Sequence, residues 1–150
     1  METATLVTEI LNGTLSALST VVPFPIEHGN AERLPNAFRQ PEMGVLIGVT
    51  GDYHTRLVID AKKEIFMALG ASMYGMTVEG ELLDSLIGEV GNMVGGNMCT
   101  NVSMNGIHLD ITPPTVLIGD TKLTGFTYAL SVPVIISSIG ALRVSLLITE

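Results

Sequence analysis

The chain has 150 residues, 47% hydrophobic and only 15% charged, which is enough apolar material for one well-buried domain and leaves little for disorder. Its 7 Lys+Arg against 15 Asp+Glu give a net charge of -8, which argues against nucleic acid and anionic membrane surfaces as partners. Cys99 is the single cysteine, so no internal disulfide can form and nothing points to an oxidising compartment.

The opening residues, METATLVTEILNG, carry acids and no basic cluster ahead of their apolar positions, so they do not read as a signal peptide. Apolar residues at helical spacing (Leu6, Ile10, Leu11, Leu15, Leu18) predict a first helix over 3–20. Residues 21–41 hold Pro23, Pro25, Pro35 and Pro41 with Gly29 and Asn30, and predict a loop or an edge strand. Apolar runs at 43–49 and 56–59 around Gly51-Asp52 predict a β-hairpin. Helical spacing returns over 61–74 and closes at Gly75, a residue suited to a helix C-terminus. Thr77 is placed to cap the next helix, with Glu79, Glu81 and Asp84 in its first turns, where the macrodipole favours acids.

After that helix the pattern turns to β. Residues 107–111 form a short strand stopped by Pro113-Pro114, 116–118 another, and 125–136 and 141–149 a long hairpin joined through 137–140. Pro133 suggests an edge position or a bulge. The tract 132–149, interrupted by Ser137, Ser138, Gly140, Arg143 and Ser145, reads as two strands and a turn and not as a membrane span, so the expected location is cytoplasmic. Three helices and five or six strands, grouped and not alternating, predict an α+β fold in one domain over 1–150, with a largely antiparallel sheet covered by helices.

The stretch with the most chemistry is 81–99, ELLDSLIGEVGNMVGGNMC. At about 100° per residue, Leu82, Leu83, Leu86, Ile87, Val90, Met93 and Val94 share an apolar face, and Ser85, Glu89 and Asn92 share the opposite one. Gly88, Gly91, Gly95 and Gly96 lie on or beside the polar side. Each costs roughly 1 kcal/mol relative to Ala in a helix interior, so each needs a reason. Two reasons stand open: close approach by a partner to a bare face, or packing against a neighbouring element of the same chain.

Other chemistry is poorly supported. His28, His54 and His108 have no ligand spacing with a second His, Cys or acid. The glycines lack the Lys-Ser/Thr that completes a phosphate-binding loop, no G-x-S-x-G elbow is present, and Cys99 has no basic neighbour to activate it.

The run Ser85, Glu89-Val90-Gly91-Asn92, Met93-Val94-Gly95-Gly96-Asn97 resembles the signature helix of the CheC/CheX/FliY phosphatases of bacterial chemotaxis. Their pattern is Asp or Ser, three residues, Glu, two residues, Asn, and a proline a little over twenty residues on, a place that Pro113 and Pro114 fall close to. MGVLIGVTGD and ITPPTVLIGD are similar to the CheX subclass as well, and the likeness extends over residues 43–150. The resemblance implies a CheC-like fold in which two of the three helices are adjacent and one carries the site. It implies hydrolysis of the aspartyl phosphate of a CheY-like response regulator, with Glu89 and Asn92 inserted into the regulator's active site. Asn92 would orient the attacking water and Glu89 would pair with the regulator's lysine. Ser85, Gly88 and Gly96 would meet the partner.

By the same implication this chain binds no cofactor or metal, a divalent ion (Mg) sits on the phosphorylated receiver, and the chain forms a homodimer through edge-strand pairing, with the Pro133 strand as an exposed edge. The rival reading is a non-catalytic dimeric module that docks on a receiver domain or a flagellar or chemotaxis component. Glu9 and Asn12 repeat the E-x-x-N spacing on the first helix, as in relatives with two sites, but without the glycine-rich surroundings.

Overall fold

The computed structural model describes residues 2–150. Helix α1 (Thr3–Val21) is followed by strands β1 (Ile26–His28), β2 (Glu32–Leu34), β3 (Phe38–Gln40), β4 (Met43–Gly51) and β5 (Thr55–Ala61), and then by the adjacent helices α2 (Lys63–Tyr74) and α3 (Gly80–Ser103). After α3 come β6 (Leu109–Ile111), β7 (Thr115–Ile118), β8 (Thr121–Leu123), β9 (Tyr128–Ile136) and β10 (Gly140–Ile148). Eight strands form one antiparallel sheet, with the central order β9-β10-β5-β4. One edge is a broken line, β1 then β2, along β9; the other is a second broken line, β6 and β7, along β4. The α+β fold with three helices and an antiparallel sheet is therefore present as expected.

Period-two alternation decides which face each strand presents. Met43, Val45, Ile47 and Val49 of β4, Val132, Val134 and Ile136 of β9, and Leu142, Val144, Leu146 and Ile148 of β10 all enter the core shared with the helices. Intervening residues Val58, Ala129 and Leu147 face the other way and pack with Phe38 and Phe126 beneath a two-stranded β3–β8 ribbon. Arg143 ties ribbon to sheet: it pairs with Asp60 at 2.9 Å, donates to the Arg39 carbonyl at 2.9 Å and lies 4.2 Å over the Phe38 ring. Burial pushes the Asp60 carboxyl up from its ordinary value, and Arg143 opposes that shift.

The predicted β4–β5 hairpin turns at Gly51, whose φ of 105° needs glycine, and pairs Val49 with Thr55. Helix α2 closes as expected at Gly75, in the left-handed region, with its N–H donating to the Ala71 carbonyl at 2.8 Å. Its start falls at Lys63, two residues inside the expected 61–74. The Lys63 N–H donates to the Glu42 carboxylate at 2.7 Å, a cap supplied from across the hairpin.

Two expectations fail. Thr77 does not cap α3; Glu79 takes that position, without a side-chain hydrogen bond. Nor is β9 the open edge that Pro133 suggested, because β1 and β2 run along it. The Pro133 carbonyl accepts from the Gly29 N–H at 3.0 Å, so its missing donor falls at the gap between β1 and β2 and costs no ladder bond. Pairing of two copies through β9, the expected route to a homodimer, is closed by those strands. Among the described residues no helix is long and apolar enough to cross a membrane.

Candidate functional site

Helix α3 is buried over most of its circumference. Leu83, Leu86, Ile87, Val90, Val94, Met98 and Val102 are in the core, while Ser85, Glu89, Asn92 and Gly96 form one continuous exposed stripe. Leu82 is a departure: expected on the apolar face, it is 45% exposed. It stands two turns before Glu89, and so joins the stripe. No Lys or Arg occurs anywhere in α3, and no ion pair among the described residues holds Glu89. The stripe therefore presents an unneutralised acid and an amide, i and i+3, on a helix that cannot roll without breaking the core.

The four glycines divide. A Cβ on Gly91 would sit 2.7 and 2.8 Å from the Val45 methyls, and one on Gly95 would sit 3.1 Å from Ile111 Cδ1. These two let α3 settle onto β4 and β6, so intramolecular packing explains them. Gly88 is buried too, but a Cβ there would make ordinary contacts, 3.4 Å to Val116 and 3.9 Å to Pro114. Gly96 is different: it is exposed, one turn beyond Asn92, and a Cβ would meet nothing within 4 Å. The fold gives no reason for that glycine. Gly91→Ala is accordingly expected to destabilise, since overpacking typically costs about 1–3 kcal/mol and outweighs the propensity gain. Gly96→Ala should stabilise by up to about 1 kcal/mol. Urea unfolding midpoints of the two variants, measured side by side, check the opposite signs.

The stripe overlooks a shallow groove of about 570 Å³. Ser85, Gly88, Glu89 and Asn92 form one side; Ile111 at the end of β6 and Thr112, Pro113 and Pro114, between β6 and β7, form the other. The fold thus brings the prolines up to the acid and amide from which they are separated by more than twenty residues. Thr112 had no signal in the sequence, because its place depends on pairing with β4. A larger hollow of about 810 Å³ lies elsewhere, between the starts of α2 and α3 and the β7–β8 turn. Its Glu42 carboxylate is spent on the Lys63 N–H.

The repeated E-x-x-N on α1 has a different setting. Glu9 is half-buried and accepts from Asn105 Nδ2 at 2.8 Å. Gly13 is covered by α3, its Cβ position 3.1 Å from Val102 Cγ1, and its carbonyl accepts from Asn101 at 3.1 Å. Among the described residues no three His, Cys, Asp or Glu converge as metal ligands.

Known proteins resemble this chain in sequence and in fold. Residues 43–126 match the family described as "Chemotaxis phosphatase CheX". Over 97 residues the chain is 37% identical to the CheY-P phosphatase CheX of Thermotoga maritima, a match spanning 62% of this chain and 63% of that protein. The fold superposes on the chemotaxis protein CheX of Desulfovibrio desulfuricans with a TM-score of 0.78 at 19% identity, covering 93% of this chain and 95% of the other. A CheX-CheY-BeF3-Mg2+ complex from Borrelia burgdorferi matches with a TM-score of 0.75 at 22% identity, covering 96% and 97%. The family match covers more than half of the chain. On that ground the chain belongs to the CheX family of chemotaxis phosphatases.

Proposed function

We propose that this chain hydrolyses the aspartyl phosphate of a CheY-like receiver domain, using Glu89 and Asn92 as the two groups it lends to the partner's site. The observation that carries the reading is the exposed pair itself, held on an otherwise buried helix above an open groove. Family membership and the activity named for the Thermotoga relative support it.

The reaction asks for little covalent chemistry from this chain. A water oxygen attacks phosphorus in line with the bond to the receiver's aspartate; that bond breaks, the electron pair stays on the carboxylate, and phosphate leaves. Positioning and electrostatics provide most of the acceleration in such transfers. The Asn92 amide both accepts and donates hydrogen bonds, so it holds a water by one proton while its NH2 steadies the phosphoryl oxygens. An amide does not titrate usefully, so Asn92 orients and does not act as a base. Glu89 pairs with a lysine on the receiver and sets the register of the two surfaces. The divalent ion is assigned to the receiver, as the family resemblance implies. Bare Gly96 admits the partner's main chain beside Asn92, and the more stable Gly96→Ala is then the weaker phosphatase.

The test is the decay of a panel of receiver domains, each phosphorylated with acetyl phosphate, with and without the chain. Faster phosphate release from at least one receiver is the expected result. Decay that is unchanged for every receiver of the source organism would falsify the enzyme reading.

A further inference from the structure

The edge line beside α3 contains a bulge. Val49 pairs with Ile111 and Leu46 with Thr115, so Ile47 and Gly48 of β4 stand opposite Thr112, Pro113 and Pro114. The extra residue bends the strand, as bulges beside functional sites do. Neither proline can donate to the ladder, so the bulge has no pairing of its own to relax into. Thr112 alone ties it down. Its N–H donates to the Gly48 carbonyl at 2.9 Å, and its Oγ1 accepts from the Gly48 N–H at 2.9 Å. The hydroxyl also lies 3.4 Å from the Pro113 carbonyl, within reach of a weak bond. A Cβ on Gly48 would come within 2.9 Å of Oγ1 and 3.0 Å of Cγ2, so the clamp fits only because residue 48 is glycine.

The result is a groove with two unlike walls: an acid and an amide on α3, and ring hydrocarbon on the bulge, where Pro113 is exposed. We propose that Thr112 is a positioning residue for the phosphatase, clamping the bulge to Gly48 so that Pro113-Pro114 forms a rigid lip on which the receiver seats. The partner surface that fits presents a charged centre with an apolar shoulder beside it. This role rests on the phosphatase reading above. The lip touches the partner equally before and during the chemistry, so weakening it removes uniform binding: KM rises and kcat holds.

The experiment uses the full chain and a receiver domain phosphorylated with acetyl phosphate, and compares wild type, Thr112→Val, Thr112→Ser and Pro113→Ala. Thr112→Val is expected to raise KM about fivefold, the worth of roughly one net hydrogen bond, with kcat unchanged. Thr112→Ser, which keeps the oxygen, restores wild-type KM. Pro113→Ala, which trims the lip and leaves the clamp, raises KM and covers the case in which Thr112→Val does not fold. Thermal melts establish which variants are folded at the assay temperature. A folded Thr112→Val with wild-type KM, a serine variant no better than valine, or Pro113→Ala with wild-type KM overturns the role and leaves the phosphatase reading standing. A wild-type chain without effect on any receiver overturns both.

Discussion

Asn92→Ala is expected to cut the turnover of a phosphorylated receiver by roughly 10²- to 10³-fold, the usual loss when one preorganised transition-state donor is removed, while binding stays near wild type. The side chain is exposed and stands on a helix whose buried face carries the packing, so its removal opens no cavity. Alanine is the better helix former, so the variant should be as stable as wild type or slightly more so. Loss of activity then cannot be charged to unfolding. Single-turnover decay of the phosphorylated receiver at saturating chain isolates the chemical step, and titration with a beryllofluoride-loaded receiver reads affinity. A fall in affinity that matches the fall in turnover would instead make Asn92 a docking contact. An unchanged rate would place the water-orienting group elsewhere.

How far the sequence could be read shows in the same helix. Ser85, Glu89 and Asn92 stand together because a 3.6-residue period fixes which positions share a side, and that much needs no tertiary information. What the period does not contain is the register of α3 against the sheet. Gly91 and Gly95 look like neighbours of the polar face on a wheel, yet Val45, Ile47 and Ile111 lie directly beneath them. Of the two reasons left open for these glycines, a bare surface holds for Gly96, where an added Cβ would meet nothing within 4 Å. Leu82 fails in the opposite sense, apolar in type and exposed in place.

The strands divide along similar lines. Hairpins β4–β5 and β9–β10 were legible because turn residues and alternation are local signals. For 21–41 a loop or an edge strand was expected, and β1 and β2 do line the sheet edge along β9; their bounds, and β3 against β8, were not legible, since three residues carry too little pattern. Thr112 and Glu42 belong to the same class. Each acts on a residue brought alongside by folding: Thr112 on Gly48, Glu42 on the N–H of Lys63. The groove's polar wall could thus be named from the sequence, and its proline wall located but not explained.

Glu89→Ala is expected to damage binding and turnover together, and Glu89→Gln separates charge from shape. In the free chain the carboxylate is exposed and no ion pair holds it, so either substitution leaves the fold intact. On the proposed reading it pairs with a receiver lysine in the complex, and truncating an enclosed pair costs about 2–5 kcal/mol, much of it for the charge left unpaired. That corresponds to roughly 30-fold or more in affinity. Helix α3 carries Glu81, Asp84 and Glu89 and no Lys or Arg, so a basic partner surface docked on it meets uncompensated acid. Added salt should therefore raise the wild-type KM steeply. The Glu89→Gln curve should start higher and rise less, and should stay above wild type at high ionic strength because an enclosed pair is screened little by salt. Parallel curves would mean that the docking charge lies in other residues, and Glu89 would then keep only a steric part in the register of the two surfaces.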